Sequence, residues 1–217
     1  MEVAMKHFLP TGEVLTVSEL GGKMTGVNAI STSVLLNPFC QKMRETDGMI
    51  CQSCYARTGE NMYEGARNGW QANYHLLSSR LLKVKEIPHI NASVFRFQSH
   101  GELINRTHYK NLIKIADANP QTMFGFWTKN LAVIKRGGLI KRDNIVYVFS
   151  SFKKNVLNPI VPKGFDKVFT VFNRPFLAKH PEVNINCSSK CNECRLCYSK
   201  NDVVFVNEKI KYSGDPE

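Results

Sequence analysis

The stretch TMFGFWTKNLAVIKRGGLIKRDNIVYVFS, residues 122–150, decides the fold. Two apolar runs, at 122–128 and 144–150, enclose a short helical segment that Gly137-Gly138 ends. Strands that are buried on both faces of a parallel sheet are apolar along their whole length, whereas half-exposed strands alternate. The stretch therefore predicts a strand–helix–strand unit of an α/β protein.

Similar apolar runs recur on both sides of this stretch. They lie at 27–36, 92–98, 166–172 and 202–206. With the two central runs they give about six strands, and the chain of 217 residues is shorter than the roughly 250 of a closed eight-unit barrel. The sequence therefore predicts a partial (β/α) barrel of mostly parallel strands over residues 1–183. A small Cys-rich, metal-binding segment, residues 184–217, is expected to pack on the barrel.

Charge and hydropathy limit the class of protein. No apolar run approaches the roughly 18–20 residues of a membrane span, and the first ten residues lack the apolar core of a secretory signal. We therefore expect a cytoplasmic protein without membrane contact. The formal charge is +11, and residues 101–217 carry 19 basic against 10 acidic side chains. This excess fits a nucleic acid or another anionic partner, and it also fits solubility alone.

The cysteines are the strongest chemical signal. There are seven, an odd number in two clusters, which favours metal binding over a disulfide framework in a cytoplasmic protein. Cys40, Cys51 and Cys54 follow the first predicted strand, and three thiolates leave one iron of a [4Fe–4S] cluster open. The second set is Cys187, Cys191, Cys194 and Cys197.

Spacing alone leaves alternatives open for these cysteines. The four terminal thiolates suit either one zinc ion or a second iron–sulfur cluster. A different grouping pairs Cys51 and Cys54 with Cys194 and Cys197 as two knuckles of one site. The sequence therefore predicts one or two metal centres without fixing the metal of the terminal set.

Polar side chains follow every central strand. They are Asn37 after the first run, Ser99 to Glu102 after the second, Thr128 and Lys129 after the third, Ser150 after the fourth and Asn173 after the fifth. Because the carboxyl ends of parallel strands meet at one edge of a sheet, these residues are expected to lie near one another.

Four segments resemble a known family: NPFC (37–40), CQSCYA (51–56), FRFQSHGEL (95–103) and FGFWTKN (124–130). Together they are similar to the radical-SAM-like iron–sulfur proteins encoded by bacteriophages, the gene product eighty-eight family, over nearly the whole chain. The resemblance implies a [4Fe–4S] cluster in the segment 37–55 at the barrel mouth. It also implies a location in the host cytoplasm.

The resemblance further implies a site for S-adenosylmethionine. Gly101-Glu102 matches the Gly-Glu that contacts the methionine amino group in radical SAM enzymes, where a carboxylate can pair with an ammonium. The cofactor-binding residues expected on this basis are Tyr55, Arg96, Ser99, Gly101, Glu102, Thr128, Lys129 and Asn173.

One departure from the radical SAM pattern affects the functional prediction. The common spacing is CxxxCxxC, whereas ten residues separate Cys40 from Cys51 here. The leading expectation is an iron–sulfur protein that uses S-adenosylmethionine for radical chemistry on an unknown substrate. A SAM-free iron–sulfur protein with a redox or interaction role, and a zinc-knuckle module that binds nucleic acid, are the alternatives. Whether the protein is an enzyme stays open.

Overall fold

The computed structural model describes residues 4–210, and these contain one open sheet of eight strands in chain order. The strands are β1 (Ala4–Phe8), β2 (Val14–Glu19), β3 (Asn28–Ile30), β4 (Val94–Phe97), β5 (Met123–Thr128), β6 (Ile145–Ser150), β7 (Lys167–Phe172) and β8 (Phe205–Lys209). The first two pairs are antiparallel, and every later pair, from β3–β4 to β7–β8, is parallel. The fold is therefore mixed α/β, and the sheet does not close.

Helices connect most of the parallel strands. They are α1 (Pro38–Glu45), α2 (Tyr55–Met62), α3 (Glu64–Ser79), α4 (Arg106–Asp117), α5 (Leu131–Lys135), α6 (Arg174–Lys179) and α7 (Cys191–Cys194). Short 3₁₀ turns lie at Gly22–Met24, Ile50–Ser53, Val84–Glu86 and Leu196–Tyr198. Within the described residues, no helix combines the length and the apolar character that crossing a bilayer requires.

The main core lies between the sheet and helices α3 and α4. Leu77 of α3 and Tyr109 of α4 are fully buried against Phe97 and Phe124 of the central strands. Alternate residues of β5 face the other way, so Phe124 and Phe126 belong to this core while Trp127 packs with Val148 on the inner face. Both faces of the central strands are therefore covered, as their apolar sequence predicts.

The prediction of strands at 122–128 and 144–150 is confirmed by β5 and β6. The prediction of about six strands is wrong, because Ala4–Phe8 and Val14–Glu19 pair as an additional antiparallel hairpin. The run at 27–36 forms strand only at Asn28–Ile30, since the chain then turns around the buried carboxylate of Glu60.

The inner face of the sheet is covered by the terminal cysteine segment. Tyr198 is buried there, and a Cβ atom at Gly125 of β5 would lie 2.8 Å from the Tyr198 ring. Glycine at 125 therefore makes room for the segment, and β8 extends the same sheet beside β7. The division into domains at 183/184 stays a prediction, and its outer ends, 1–3 and 211–217, lie outside the described residues.

A buried histidine supports the loop after β4. His108 on α4 is fully buried, its Nδ1 accepts the Ile104 backbone N–H at 3.3 Å, and its Nε2 lies 3.1 Å from Gln98 Nε2. Burial lowers the pKa of His108 to about 3. The imidazole is therefore neutral in the folded protein at pH 7.

The neutral His108 predicts acid sensitivity. Below about pH 6.5 the unfolded chain takes up a proton at this residue that the folded chain does not, so the free energy of unfolding falls as the pH falls toward 3. Denaturant titrations between pH 5.5 and 4 should give a slope up to about 1.4 kcal/mol per pH unit steeper in the wild type than in His108→Gln. The exposed control, His89→Gln, should keep the wild-type slope, and equal slopes in all three proteins would contradict the prediction.

Candidate functional site

A cavity of about 900 Å³ lies at the carboxyl edge of the parallel strands. Its wall contains residues that end β4, β5 and β6, as the positions of the polar strand ends predict. Every cysteine of the chain lies in the described part and is a free thiol. The cysteines that line the cavity are Cys40, Cys51, Cys54, Cys187, Cys191 and Cys197. The structure therefore brings both predicted cysteine sets to one space.

Local sequence explains the position of the first cysteine set. Asn37 caps α1, its Oδ1 accepting the Phe39 backbone N–H at 3.0 Å, and Pro38 occupies the first turn. Cys40 thus lies on a helix, Cys51 lies in the 3₁₀ turn that follows, and Cys54 lies directly before α2. The segment 37–55 is therefore partly helical, because the Asn-Pro pair that ends the apolar run also starts a helix.

A buried carboxylate braces this segment. Glu60 of α2 is fully buried and accepts hydrogen bonds from Ser33 Oγ at 2.5 Å, Val34 N at 2.8 Å and Leu35 N at 3.3 Å. These donors belong to the turn that leads from β3 to α1, so Glu60 joins the chain after Cys54 to the chain before Cys40. The carboxylate fixes the two arms of the cysteine segment relative to each other.

The three thiols of the first set share an electrostatic environment. Burial raises the pKa of Cys40, and the negative charges of Glu102, Cys54 and Cys51 raise it further. Burial also raises the pKa of Cys51, while the ammonium of Lys129 opposes that shift. Cys40 and Cys51 are therefore protonated when no metal is bound, and a metal would have to displace their protons.

Lys129 is the cation of this group. Its Nζ donates to Ser150 Oγ and, at 2.9 Å, to the Ser151 carbonyl. Burial lowers the pKa of Lys129, and the charges of Cys51, Glu102, Cys54 and Cys40 counteract this effect. The ammonium is thus placed to stabilise thiolates at the end of β5 without pairing directly with a carboxylate.

Glu102 is held by protein donors. Its carboxylate accepts hydrogen bonds from Thr128 Oγ1, from Leu103 N at 2.7 Å and from Lys129 N at 2.5 Å. Burial raises the pKa of Glu102, although these donors favour the charged form. The side chain therefore joins the ends of β4 and β5. Because a carboxylate has about four acceptor positions, little capacity is left for a ligand ammonium.

Gly101 has a clear backbone role. Its φ is +85°, and a Cβ atom would lie 2.3 Å from the Thr32 carbonyl oxygen. Only glycine allows this approach of the β4 end to the turn after β3. The Gly-Glu pair at 101–102 therefore fixes the geometry of the mouth.

The second cysteine set lies across the cavity. Lys23 Nζ donates to Cys187 Sγ at 2.9 Å, to the Cys187 carbonyl at 2.7 Å and to Glu208 Oε1 at 2.8 Å. Burial lowers the pKa of Lys23, but these hydrogen bonds raise it to about 12. Burial raises the pKa of Cys197 to about 12, and Arg96 opposes this shift. Cys194 is exposed and lies outside the cavity wall.

The remaining predicted residues lie in different places. Tyr55 and Ser99 line the cavity, and the Tyr55 hydroxyl donates to the Ser99 carbonyl at 3.3 Å. Arg96 lines the side nearer the terminal cysteines, where its charge lowers the pKa of Cys191 against the effect of burial. Asn173 is absent from the described wall, and its side chain caps α6 through Phe176 N at 3.0 Å. Asn173 therefore follows β7 at the edge where the polar residues after the strands were expected, but its side chain has a structural role.

The thiols do not converge tightly on a single point. Among residues 4–210, no three His, Cys, Asp or Glu side chains are close enough together to hold one metal ion. The charge interactions link Cys40 with Cys51 and Cys54, and they link Cys197 with Cys187 and Cys191. The spatial grouping in the structure therefore follows the two sequence clusters.

Comparison with known proteins identifies the family. A family model described as gene product 88 matches residues 23–200, most of the chain. The chain belongs to the gene product 88 family. The matched span contains both cysteine sets and begins at Lys23, the side chain that bonds Cys187. No curated protein and no solved structure matches the chain. Gene product 88 is a phage-type family.

Sequence patterns gave no signal for three residues that shape the site. Glu60 is a lone acid on a short helix, Lys23 lies in a polar segment before the first parallel strand, and Gly125 interrupts an apolar run. Their roles depend on contacts with distant parts of the chain: Ser33, Cys187 and Tyr198 respectively. Only the tertiary structure therefore reveals them.

Glu60→Gln is expected to destabilise the segment that carries the first cysteines. The amide keeps the shape of the side chain but loses the charge. Its NH₂ group is a donor, and it would face the hydroxyl and backbone N–H groups that donate to Glu60. We expect the free energy of unfolding of the metal-free protein to fall by about 1–3 kcal/mol in denaturant titrations. Glu64→Gln, an exposed substitution at the start of α3, is the control and should cost well under that amount. Equal losses in both variants would show that Glu60 does not brace the turn.

Proposed function

We propose that the protein is an iron–sulfur protein of radical-SAM-like type. Cys40, Cys51 and Cys54 would hold a [4Fe–4S] cluster, and the four terminal cysteines would hold a second metal centre. The observation that carries the proposal is that six of the seven cysteines, all but the exposed Cys194, line one cavity at the carboxyl edge of a parallel sheet. Its radical-SAM-like character rests on the sequence resemblance and on the Gly-Glu pair at the end of β4.

The donor set suits an iron–sulfur cluster. Thiolates are the ligands that such clusters require, and Lys129 supplies a positive charge that stabilises three deprotonated cysteines. Four thiolates suit either a second cluster or one zinc ion, so zinc at the terminal set is the alternative.

A [4Fe–4S] cluster bound by three cysteines would have one open iron. That iron could coordinate a small molecule such as S-adenosylmethionine, and the cluster could pass it one electron. The chain's own residues would then orient that ligand. Tyr55 and Ser99 border the wall next to Cys54, and Glu102 retains at most about one acceptor position for an ammonium.

A SAM-free iron–sulfur protein is the second candidate, and the bonding of Glu102 favours it. The carboxylate that the resemblance assigns to the methionine amino group already accepts three protein hydrogen bonds. A protein that keeps the scaffold and the cluster for a redox or interaction role has no need for further contacts at this residue. A nucleic acid or another macromolecular anion as partner stays a prediction from the overall charge.

Cys51→Ala tests the ligand assignment. If each cysteine set holds a four-iron cluster, iron per chain in anaerobically purified protein should fall from about eight to about four. With zinc at the terminal set, iron should fall from about four to near zero while the zinc content stays constant. Ser53→Ala, an exposed residue between two of the cysteines, is the matched control and should keep all the iron. Unchanged iron in Cys51→Ala would refute the first site.

Incubation of the reduced protein with S-adenosylmethionine separates the two candidates. A radical SAM enzyme should cleave it to methionine and 5′-deoxyadenosine, using one electron from the cluster and one hydrogen atom from substrate or solvent. The EPR signal of the reduced cluster should also change when S-adenosylmethionine is added. Cys51→Ala should give neither result. If the iron-loaded wild type gives no product and no EPR change, the SAM-free candidate is correct.

A further inference from the structure

The cavity wall carries an excess of positive charge. Among its described residues, the cationic side chains are Lys23, Arg44, Arg57, Arg96, Lys129, Lys154 and Lys209, whereas the carboxylates are Glu102 and Glu208. Both carboxylates are already engaged, Glu102 by three donors and Glu208 by Lys23 at 2.8 Å. Arg57, Lys154 and Lys209 are exposed at the rim, where they can attract anions from solvent.

Arg96 lies on the inner face of this cavity without a carboxylate partner. Its guanidinium carbon stacks 4.0 Å above the Trp127 ring, and its Nη1 donates to the Met24 thioether at 3.3 Å, a weak acceptor. Its buried Nε–H has no hydrogen-bond partner in the described part of the chain, and none of the ion pairs described there includes Arg96. Arg96 also lowers the pKa of Tyr198 against the effect of burial, so the Tyr198 hydroxyl lies near the guanidinium. The Nε–H is the donor that the protein leaves without an acceptor.

Four further buried polar atoms of residues in the same cavity wall lack partners among the described residues: Trp127 Nε1, Ser99 Oγ, His100 Nδ1 and the Tyr198 hydroxyl. The side chains of Trp127 and Ser99 are more than nine-tenths buried. Buried polar groups in folded proteins are normally paired, and the indole N–H is a donor only. The unpaired groups therefore favour a ligand rich in acceptor oxygens.

The terminal thiolates explain only part of this arrangement. Arg96 lowers the pKa of Cys191 and of Cys197 against burial, so its charge also acts on the second cysteine set. That role would account for a positive charge at position 96. It does not account for the unpaired hydroxyl of Ser99 or for the exposed cations of the cavity wall.

We propose that the cavity binds a small organic anion whose phosphate or carboxylate group contacts Arg96, with Trp127 Nε1 and Ser99 Oγ as further donors. The volume of about 900 Å³ falls in the range of small-molecule sites. Apolar side chains, including Phe39, Ile50 and Phe169, border the rest of the space and can contact the carbon frame of such a molecule. The inference deepens the proposed function, since it names the substrate class of the same site, but binding of the anion does not require iron.

Paired probes that differ only in the anionic group test the proposal. Calorimetric titrations of anaerobically purified protein would compare AMP with adenosine and benzoate with benzamide, with the iron content of each preparation measured separately. We expect at least one anion to bind about 10- to 100-fold more tightly than its neutral partner. Arg96→Gln should abolish that preference. Preference for AMP alone identifies a phosphate ligand, and preference for benzoate alone identifies a carboxylate ligand.

The control is Arg106→Gln. Arg106 also stacks on an aromatic ring, that of Tyr109 at 4.7 Å, but it lies outside the cavity wall and should leave the preference unchanged. Equal binding of charged and neutral probes, no binding of any probe at millimolar concentration, or a preference that persists in Arg96→Gln would overturn the proposal. A change in the EPR signal of Arg96→Gln with no change in anion binding would show that Arg96 serves only the terminal centre. Anion binding by a preparation without iron would support the anion site, whatever the iron content of the other preparations shows about the cluster.

Discussion

Burial of both faces of an open parallel sheet is the constraint on which the structure depends. Helices α3 and α4 cover the outer face, but an open sheet leaves the apolar inner face of β5 and β6 without a cover. The terminal cysteine segment supplies it, with Tyr198 against Gly125 and Cys197 packed near Trp127. The segment that carries four of the cysteines is therefore a structural layer as well as a candidate metal site.

The mouth of the cavity is built by carboxylates that the protein itself satisfies. Glu60 joins the turn after β3 to α2, and Glu102 joins the end of β4 to the end of β5. Both are buried and both accept three protein hydrogen bonds, so they hold neighbouring chain segments rather than remaining available to a ligand. Lys129 and Arg96 are the complementary cations, one facing each thiol set.

Sequence patterns predicted the central part of the fold because β5 and β6 are apolar on both faces. They also predicted that the strand ends and the cysteines after the first strand lie close together, since the carboxyl ends of parallel strands lie at the same edge of a sheet. The hairpin β1–β2 escaped prediction because Ala4–Phe8 alternates polar and apolar residues weakly. The cysteine spacing at 187–197 indicated metal chemistry but carried no information on packing, because Tyr198 is the single large aromatic that docks the segment and its neighbours are polar. Asn173 acts as a helix cap because α6 begins at the next residue. The expectation that polar residues after the strands lie near one another took no account of that helix.

The terminal cysteines lie in a segment of chain that is anchored at both ends. Cys187 N donates to the Asn207 carbonyl at 3.0 Å, and the buried Lys167 ammonium donates to Asn201 Oδ1 and to the Val203 carbonyl, both at 2.6 Å. A free peptide must lose the entropy of closing this loop when its thiols gather around a metal. Here the folding of β7 and β8 has already closed it. A metal bound by the terminal cysteines would consequently be held more tightly in the folded chain than by the same cysteines in an isolated peptide.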